Sequence, residues 1–245
     1  MIVTQFQIDL DTPTGTMRCQ GVRPALEGKF PTVIFYSEIF QVTEPIARTA
    51  AYLAGHGYVV LVPEVFHELN EIGTVLAYDD AGKEKGNSDK FTKPLTSHDT
   101  DTLALIDWVD QQDFCNGSIG SFGVCLGGHL ACRAAVNPRI QGAACLYATD
   151  IHSSTMPAGD GPQTIDLLGD IQGEIMFVWG KQDPHVPLEG RKLLYNTMND
   201  VGVTHTWHEF NGQHAFMRDE GARYDPELAT ICHRLILDLF HRTLR

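Results

Sequence analysis

The stretch of this chain richest in chemistry is Ser121-Phe122-Gly123-Val124-Cys125-Leu126-Gly127-Gly128-His129, a Gly-x-Cys-x-Gly run. It leaves an apolar segment and enters one patterned as a helix by Leu130, Ala131, Ala134 and Ala135. In the serine version of this motif a sharp strand-to-helix turn strains the nucleophile, and glycines flank it because side chains there would collide. Here the nucleophile position is Cys125. The turn exposes its sulfur at a helix N-terminus, where unpaired N–H groups and the helix dipole favour a thiolate. The backbone N–H of Leu126 then points at a developing oxyanion. The turn carries neither the Gly-Lys-Ser/Thr of a phosphate loop nor the Gly-x-Gly-x-x-Gly of a dinucleotide turn, so phosphate binding is the weaker reading.

Such a thiol needs a base and an acid that orients it. Fifty-eight residues on, Trp179-Gly180-Lys181-Gln182-Asp183-Pro184-His185 places Asp183 after an apolar strand and before a helix. A helix-capping or turn aspartate is the competing explanation for it. A further thirty-one residues on, Asn211-Gly212-Gln213-His214-Ala215-Phe216 puts His214 in a loop after the last strand. Eleven histidines dilute that assignment, with His67, His129, His185, His205 and His208 comparable at first sight. Position decides: His205 and His208 fall within the last strand, His129 points into a helix, and His185 sits beside the acid. Nucleophile, acid and histidine, each ending a different strand, follow the chain order of α/β-hydrolase sheets.

The elements that must position these groups read as alternating strands and helices, hence a largely parallel sheet flanked by helices. Segments 2–11 and 16–24, joined by Asp11-Thr12-Pro13-Thr14-Gly15, read as an antiparallel hairpin. Strands follow at 32–36, 58–62, 118–122, 142–147, 175–179 and 204–210. Helices are expected at 45–56, 98–112, 126–137, 187–200 and 226–243, the second with Leu103, Ile106, Trp108 and Val109 as its apolar residues. Between them, residues 65–97 form a long polar excursion rich in helix breakers, expected to be exposed as a lid or a tolerated insertion. One domain is expected over 1–245.

These residues resemble the dienelactone hydrolase family of α/β-hydrolases, whose members carry a cysteine at the elbow. The resemblance covers about 28–243. It rests on Gly123-Val124-Cys125-Leu126-Gly127-Gly128, on Gly180-Lys181-Gln182-Asp183 followed by Val186-Pro187, on His214-Ala215-Phe216, and on Ser37-Glu38-Ile39-Phe40, similar to the family's Gln-Glu-Ile-Phe-Gly segment. It implies that Glu38 lies near the resting thiol and helps deprotonate it when substrate binds, and that the N–H of Ile39 joins that of Leu126 in an oxyanion hole. Arg218 resembles the family arginine that binds the substrate carboxylate and pairs with the glutamate. Two departures bear on the substrate. Residues 65–107 hold no arginine to supply the family's second carboxylate contact, leaving Lys83, Lys85, Lys90 or Lys93, none of which reproduces a bidentate fork. Gln41 replaces the closing glycine of the Glu-Ile-Phe-Gly run.

Composition narrows the partners. With 31 Asp+Glu against 18 Lys+Arg the 245-residue chain carries −13, which repels phosphate backbones and anionic lipid. The N-terminus lacks the basic start and apolar core of a signal peptide, and no apolar run approaches a bilayer span, so a cytoplasmic protein is expected. Cys19, Cys115, Cys132, Cys145 and Cys232 read as small buried hydrophobes. A redox pair of Cys125 with Cys132 is disfavoured by two turns of helix between them. The expected reaction is hydrolysis of a small lactone or ester with no metal or organic cofactor. A broader aryl, alkyl or thioester hydrolase is the alternative, and a non-catalytic ligand-binding homologue the rival. A monomer or weak homo-oligomer is expected.

Overall fold

The computed structural model describes residues 1–244. Alternating apolar and polar residues make the N-terminal hairpin: β1 (Val3–Thr12) and β2 (Gly15–Pro24) pair antiparallel from Val3 opposite Pro24 to Thr12 opposite Gly15. Only Pro13 and Thr14 lie between the strands, a tighter turn than the sequence suggests, with Gly15 at φ 131°. β2 continues antiparallel onto β4 (Val59–Pro63), and from there the ladder is parallel. β4 pairs with β3 (Phe30–Tyr36), which pairs with β5 (Cys115–Val124). β6 (Ile140–Leu146), β7 (Glu174–Gly180) and β8 (His205–Phe210) follow in turn. The eight-stranded order is β1-β2-β4-β3-β5-β6-β7-β8.

The central strands are mainly apolar on both faces because both faces are covered. Val33, Phe35, Ala144, Met176 and Val178 pack with α1 (Glu44–Ala54) and α6 (Pro226–Thr243) through Ile46, Leu53, Ile236 and Phe240. Their neighbours one residue along, Ile34, Tyr36, Cys145, Phe177 and Trp179, turn to the other face and its helices. These are α3 (Leu95–Asp110), α4 (Leu126–Ala134) and α5 (Leu188–Asp200), which contribute Leu105, Leu130 and Leu194. Because six strands run parallel, their C-terminal ends, and the loops after them, lie along one edge. None of the helices among the described residues is long and apolar enough to cross a membrane.

Helix α6 occupies the expected 226–243, opened by Asp225, whose carboxylate accepts hydrogen bonds from the N–H groups of Glu227 and Leu228 at 3.1 and 3.0 Å. Asp225→Ala should lower stability by about 1 kcal/mol, read as a reduced Tm. Helix α3 begins three residues earlier than expected and turns Leu103 outward, while Leu105, Ile106 and Val109 are buried. Its inner face also carries Asp101 and Thr102, tolerated there because each is paired: Thr102 Oγ1 with Tyr36 Oη at 2.8 Å, and Asp101 with Lys93 at 2.6 Å and His67 at 3.1 Å.

The 65–97 excursion is the main correction. It is not an exposed, helix-broken stretch: residues Asp80–Lys90 form α2, capped by Asp79 accepting from the N–H of Gly82 at 2.8 Å. Asp89, Lys90 and Lys93 are buried. Polar residues can be inside because they neutralise one another: Lys85 and Asn70 bond Asp89, Lys90 reaches Asp150 at 3.0 Å, and Lys93 bridges Glu68 and Asp101 at 2.5 and 2.6 Å. His67, Glu68 and Asp101 converge like metal ligands, but the Lys93 ammonium already serves as the cation between the two carboxylates. The helix breakers Gly82 and Gly86 are close-packing residues, as described below.

Candidate active site

The turn at Cys125 has the geometry its glycines imply. Cys125 sits between β5 and α4 at φ 58°, ψ −121°, a conformation that L residues seldom adopt. A Cβ on Gly123 would lie 1.8 Å from the carbonyl oxygen of Gly127, and one on Gly127 would lie 2.0 Å from that of Tyr36. Only hydrogen fits at either place, so the chain can reverse tightly and present the sulfur, which is partly exposed, while Cys19, Cys115, Cys132, Cys145 and Cys232 are buried and free. Leu126 has its side chain in the core and its amide at the first position of α4.

Asp183 and His214 follow the ends of β7 and β8, adjacent parallel strands. His214 Nδ1 and Asp183 Oδ2 are 2.7 Å apart, and the other carboxylate oxygen accepts from the His185 N–H at 2.8 Å. Both residues are buried. Burial is the largest influence and opposes a charged carboxylate, but the hydrogen bond and charge of His214, together with the His185 N–H, outweigh it and hold Asp183 below the usual carboxylate range. For His214, burial disfavours the charged ring; a negatively charged Cys125 sulfur and the Asp183 hydrogen bond outweigh it and push the ring up to about 10. The ring is further fixed by edge-on contacts with Tyr147 and His185, centroids 5.2 and 4.6 Å away. Of the other candidate histidines, His185 stays beside the acid and against the His214 ring, His129 is buried between the Thr149 carbonyl and Thr164, His67 bonds Asp101, and His205 and His208 lie in β8.

Glu38 follows β3 and is 3% exposed. Its partners are Tyr78, whose hydroxyl donates at 2.6 Å, and Arg218, 3.6 Å away. Burial raises its proton affinity, more than Arg218 and Tyr78 lower it. The Arg218 guanidinium lies over the Tyr78 ring, 4.1 Å from its centroid, and its Nε donates to the Glu220 carbonyl at 3.0 Å. Tyr78 was not legible as a site residue: it stands in the polar excursion with nothing around it in sequence to mark it. Gln41 explains how the chain does without the closing glycine. It takes φ 64°, the left-handed region, and its buried amide donates to the Thr74 carbonyl at 3.1 Å. That bond ties the Glu38 segment to the excursion.

Cys125, Glu38, Ile39, His214 and Arg218 line one cavity of about 280 Å³. α2 closes one side with Lys83, Asn87 and Lys90, and Arg223 and His185 contribute from the other loops. Lys83 and Lys90 are therefore the lysines brought to the site, whereas Lys85 is paired with Asp89 and Lys93 lies in the buried network. Arg223 is a cation the sequence did not single out.

Comparison with known proteins agrees with this architecture. Residues 18–244 match the family model described as the dienelactone hydrolase family. A Saccharomyces cerevisiae protein named "Putative carboxymethylenebutenolidase" is 39% identical over all of this chain and 94% of its own length. The carboxymethylenebutenolidase of Pseudomonas sp. strain P51 is 23% identical, covering 88% of this chain and 86% of that one. Among solved structures, a Klebsiella pneumoniae protein described as a "Putative Dienelactone Hydrolase" superposes with a TM-score of 0.85 at 20% identity, over 99% of this chain and 100% of the other. With the α/β-hydrolase sheet and the cysteine elbow at its edge, this chain belongs to the dienelactone hydrolase family.

Proposed function

We propose that this chain is a cysteine-dependent hydrolase of a small lactone or ester of the dienelactone type, transferring the acyl group from Cys125 to water. What supports the reading is the convergence in one cavity of a strained, partly exposed Cys125 with His214, whose ring Asp183 holds from behind at 2.7 Å. Cys125 attacks the carbonyl carbon, and the N–H groups of Ile39 and Leu126 receive the oxyanion. Glu38 takes the thiol proton once a substrate anion draws Arg218 away from it, its burial making it the more basic. Wherever the sulfur carries negative charge, His214 beside it keeps its proton and can give it to the leaving oxygen. In the second half the neutral ring, held by Asp183, takes a proton from the water that attacks the thioester.

The test is steady-state turnover of a dienelactone and of p-nitrophenyl acetate by the purified protein. Turnover of the lactone is expected, and failure on both substrates would contradict the reading. Arg218→Met should lower the preference for the anionic lactone over the neutral ester by about 10- to 100-fold, the usual weight of a charge-assisted hydrogen bond. A second reading, a broader ester or thioester hydrolase, is favoured by one observation: Asp150 already neutralises Lys90 and Glu38 faces Arg218, so neither of these two cations is free to take a substrate carboxylate. An unchanged substrate ratio in Arg218→Met would favour it.

A further inference from the structure

Helix α2, Asp-Ala-Gly-Lys-Glu-Lys-Gly-Asn-Ser-Asp-Lys, contains two glycines, each costing about 1 kcal/mol against alanine in a helix interior. Both stand inside the helix, so backbone freedom does not account for them; what they admit does. A Cβ on Gly82 would meet the carbonyl oxygen of Ala77 at 2.1 Å, within the helix's own entry. A Cβ on Gly86 would meet Ile39 instead: its carbonyl oxygen at 2.5 Å, its Cβ at 3.0 Å and its carbonyl carbon at 3.1 Å. Gly86 thus marks the place where the excursion rests on the backbone after β3.

We propose that Gly86 is a positioning residue for the hydrolysis, seating α2 against Ile39 so that the helix fixes the Ile39 amide where the oxyanion forms. The inference rests on the function proposed above and goes beyond it, assigning the excursion a part in transition-state geometry. Ile39 is held from two sides. The N–H of Gln41 donates to the Glu38 carbonyl at 3.1 Å, fixing the peptide that carries the Ile39 N–H, and Gly86 abuts the next peptide. The segment is also tied by the N–H of Leu76 to the Phe40 carbonyl at 3.1 Å. The helix cannot easily retreat, since Asp89 is bonded by Asn70 at 2.9 Å and Lys90 by Asp150 at 3.0 Å. Lys83, Asn87 and Lys90, spaced at i, i+4 and i+7 and on the same side as Gly86, line the cavity. A methyl group at 86 must displace either α2 or Ile39, and a donor misplaced by a fraction of an ångström stabilises an oxyanion less.

The test compares Gly86→Ala with wild type on a matched pair, an oxygen ester and its thiono ester. Thiocarbonyl sulfur is larger and a poorer hydrogen-bond acceptor, so the ratio of the two rates reports donor geometry at the oxyanion rather than general integrity. Gly86→Ala should lower kcat on the oxygen ester by about 10-fold with little change in KM, and the oxygen-to-thiono ratio should fall with it. An unchanged ratio in a variant with native circular dichroism would overturn the proposal. Asp89→Asn, which slackens α2 at a residue that does not line the cavity, should lower the ratio to a lesser degree. Should Gly86→Ala not fold, Asp89→Asn decides, and an unchanged ratio there overturns the proposal equally. Turnover that survived Cys125→Ala would instead remove the mechanism on which the inference rests.

Discussion

Cys125→Ala should lose ester and lactone turnover by at least about 10³-fold in kcat while keeping its fold. No other cysteine can replace it, because the remaining five are buried and away from the cavity. The retained fold follows from where the strain is held: Gly123 and Gly127 shape the turn and remain, and alanine carries the same Cβ into φ 58° as cysteine does. The substitution carries a second signature. A negatively charged sulfur is the largest influence raising the affinity of His214 for its proton, so the His214 pKa should be lower in the variant than in the thiolate form of the wild type, where it is about 10. The sign is fixed by the raised value: beside a thiolate, a ring of pKa about 10 is charged through neutrality and loses its proton only as the pH climbs through that value. Proton titration by NMR would detect the change independently of activity. A variant that kept both turnover and titration would remove Cys125 from the mechanism.

His214→Ala should be comparably severe, on the order of 10³-fold or more, because both the leaving-group proton and the activation of water pass through this ring. Asp183→Asn is the sharper probe. The amide is nearly the same size and retains the turn, but it removes the charge from the 2.7 Å contact with Nδ1, and with it one of the interactions that raise the ring's pKa. Its pH–rate profile should therefore lose the charged-ring form at lower pH than wild type, with kcat reduced. If Asp183→Asn left both kcat and the profile unaltered, Asp183 would be a turn residue only, the role its position before α5 equally allows.

The two variants differ in how far their residues could be read from sequence. Cys125 was legible because glycines at −2 and +2 have one stereochemical purpose at a strand-to-helix turn, and the structure shows what they avoid. His214 and Asp183 were legible through strand order, which a parallel sheet translates directly into neighbouring strand ends. The helix over 80–90 was hidden because its stability is tertiary: it has almost no apolar face to leave a helical period, and its glycines suit contacts with Ala77 and Ile39. Tyr78 was hidden for the same reason, since its partners Glu38, Thr43 and Arg218 lie 40, 35 and 140 residues away in the chain. Leu103 was misread because α3 buries paired polar residues, Asp101 and Thr102, in place of the apolar ones its pattern suggested.

The most direct test of the mechanism is to look for the acyl group on sulfur. The protein would be mixed with p-nitrophenyl acetate, quenched in acid within the first turnovers and digested, and the peptide bearing Cys125 weighed by mass spectrometry. The account predicts an added acetyl on Cys125 that decays with the rate of turnover and accumulates in His214→Ala wherever acylation still occurs. Release of product at the steady rate with no acyl group on that peptide, in wild type or variant, would contradict it.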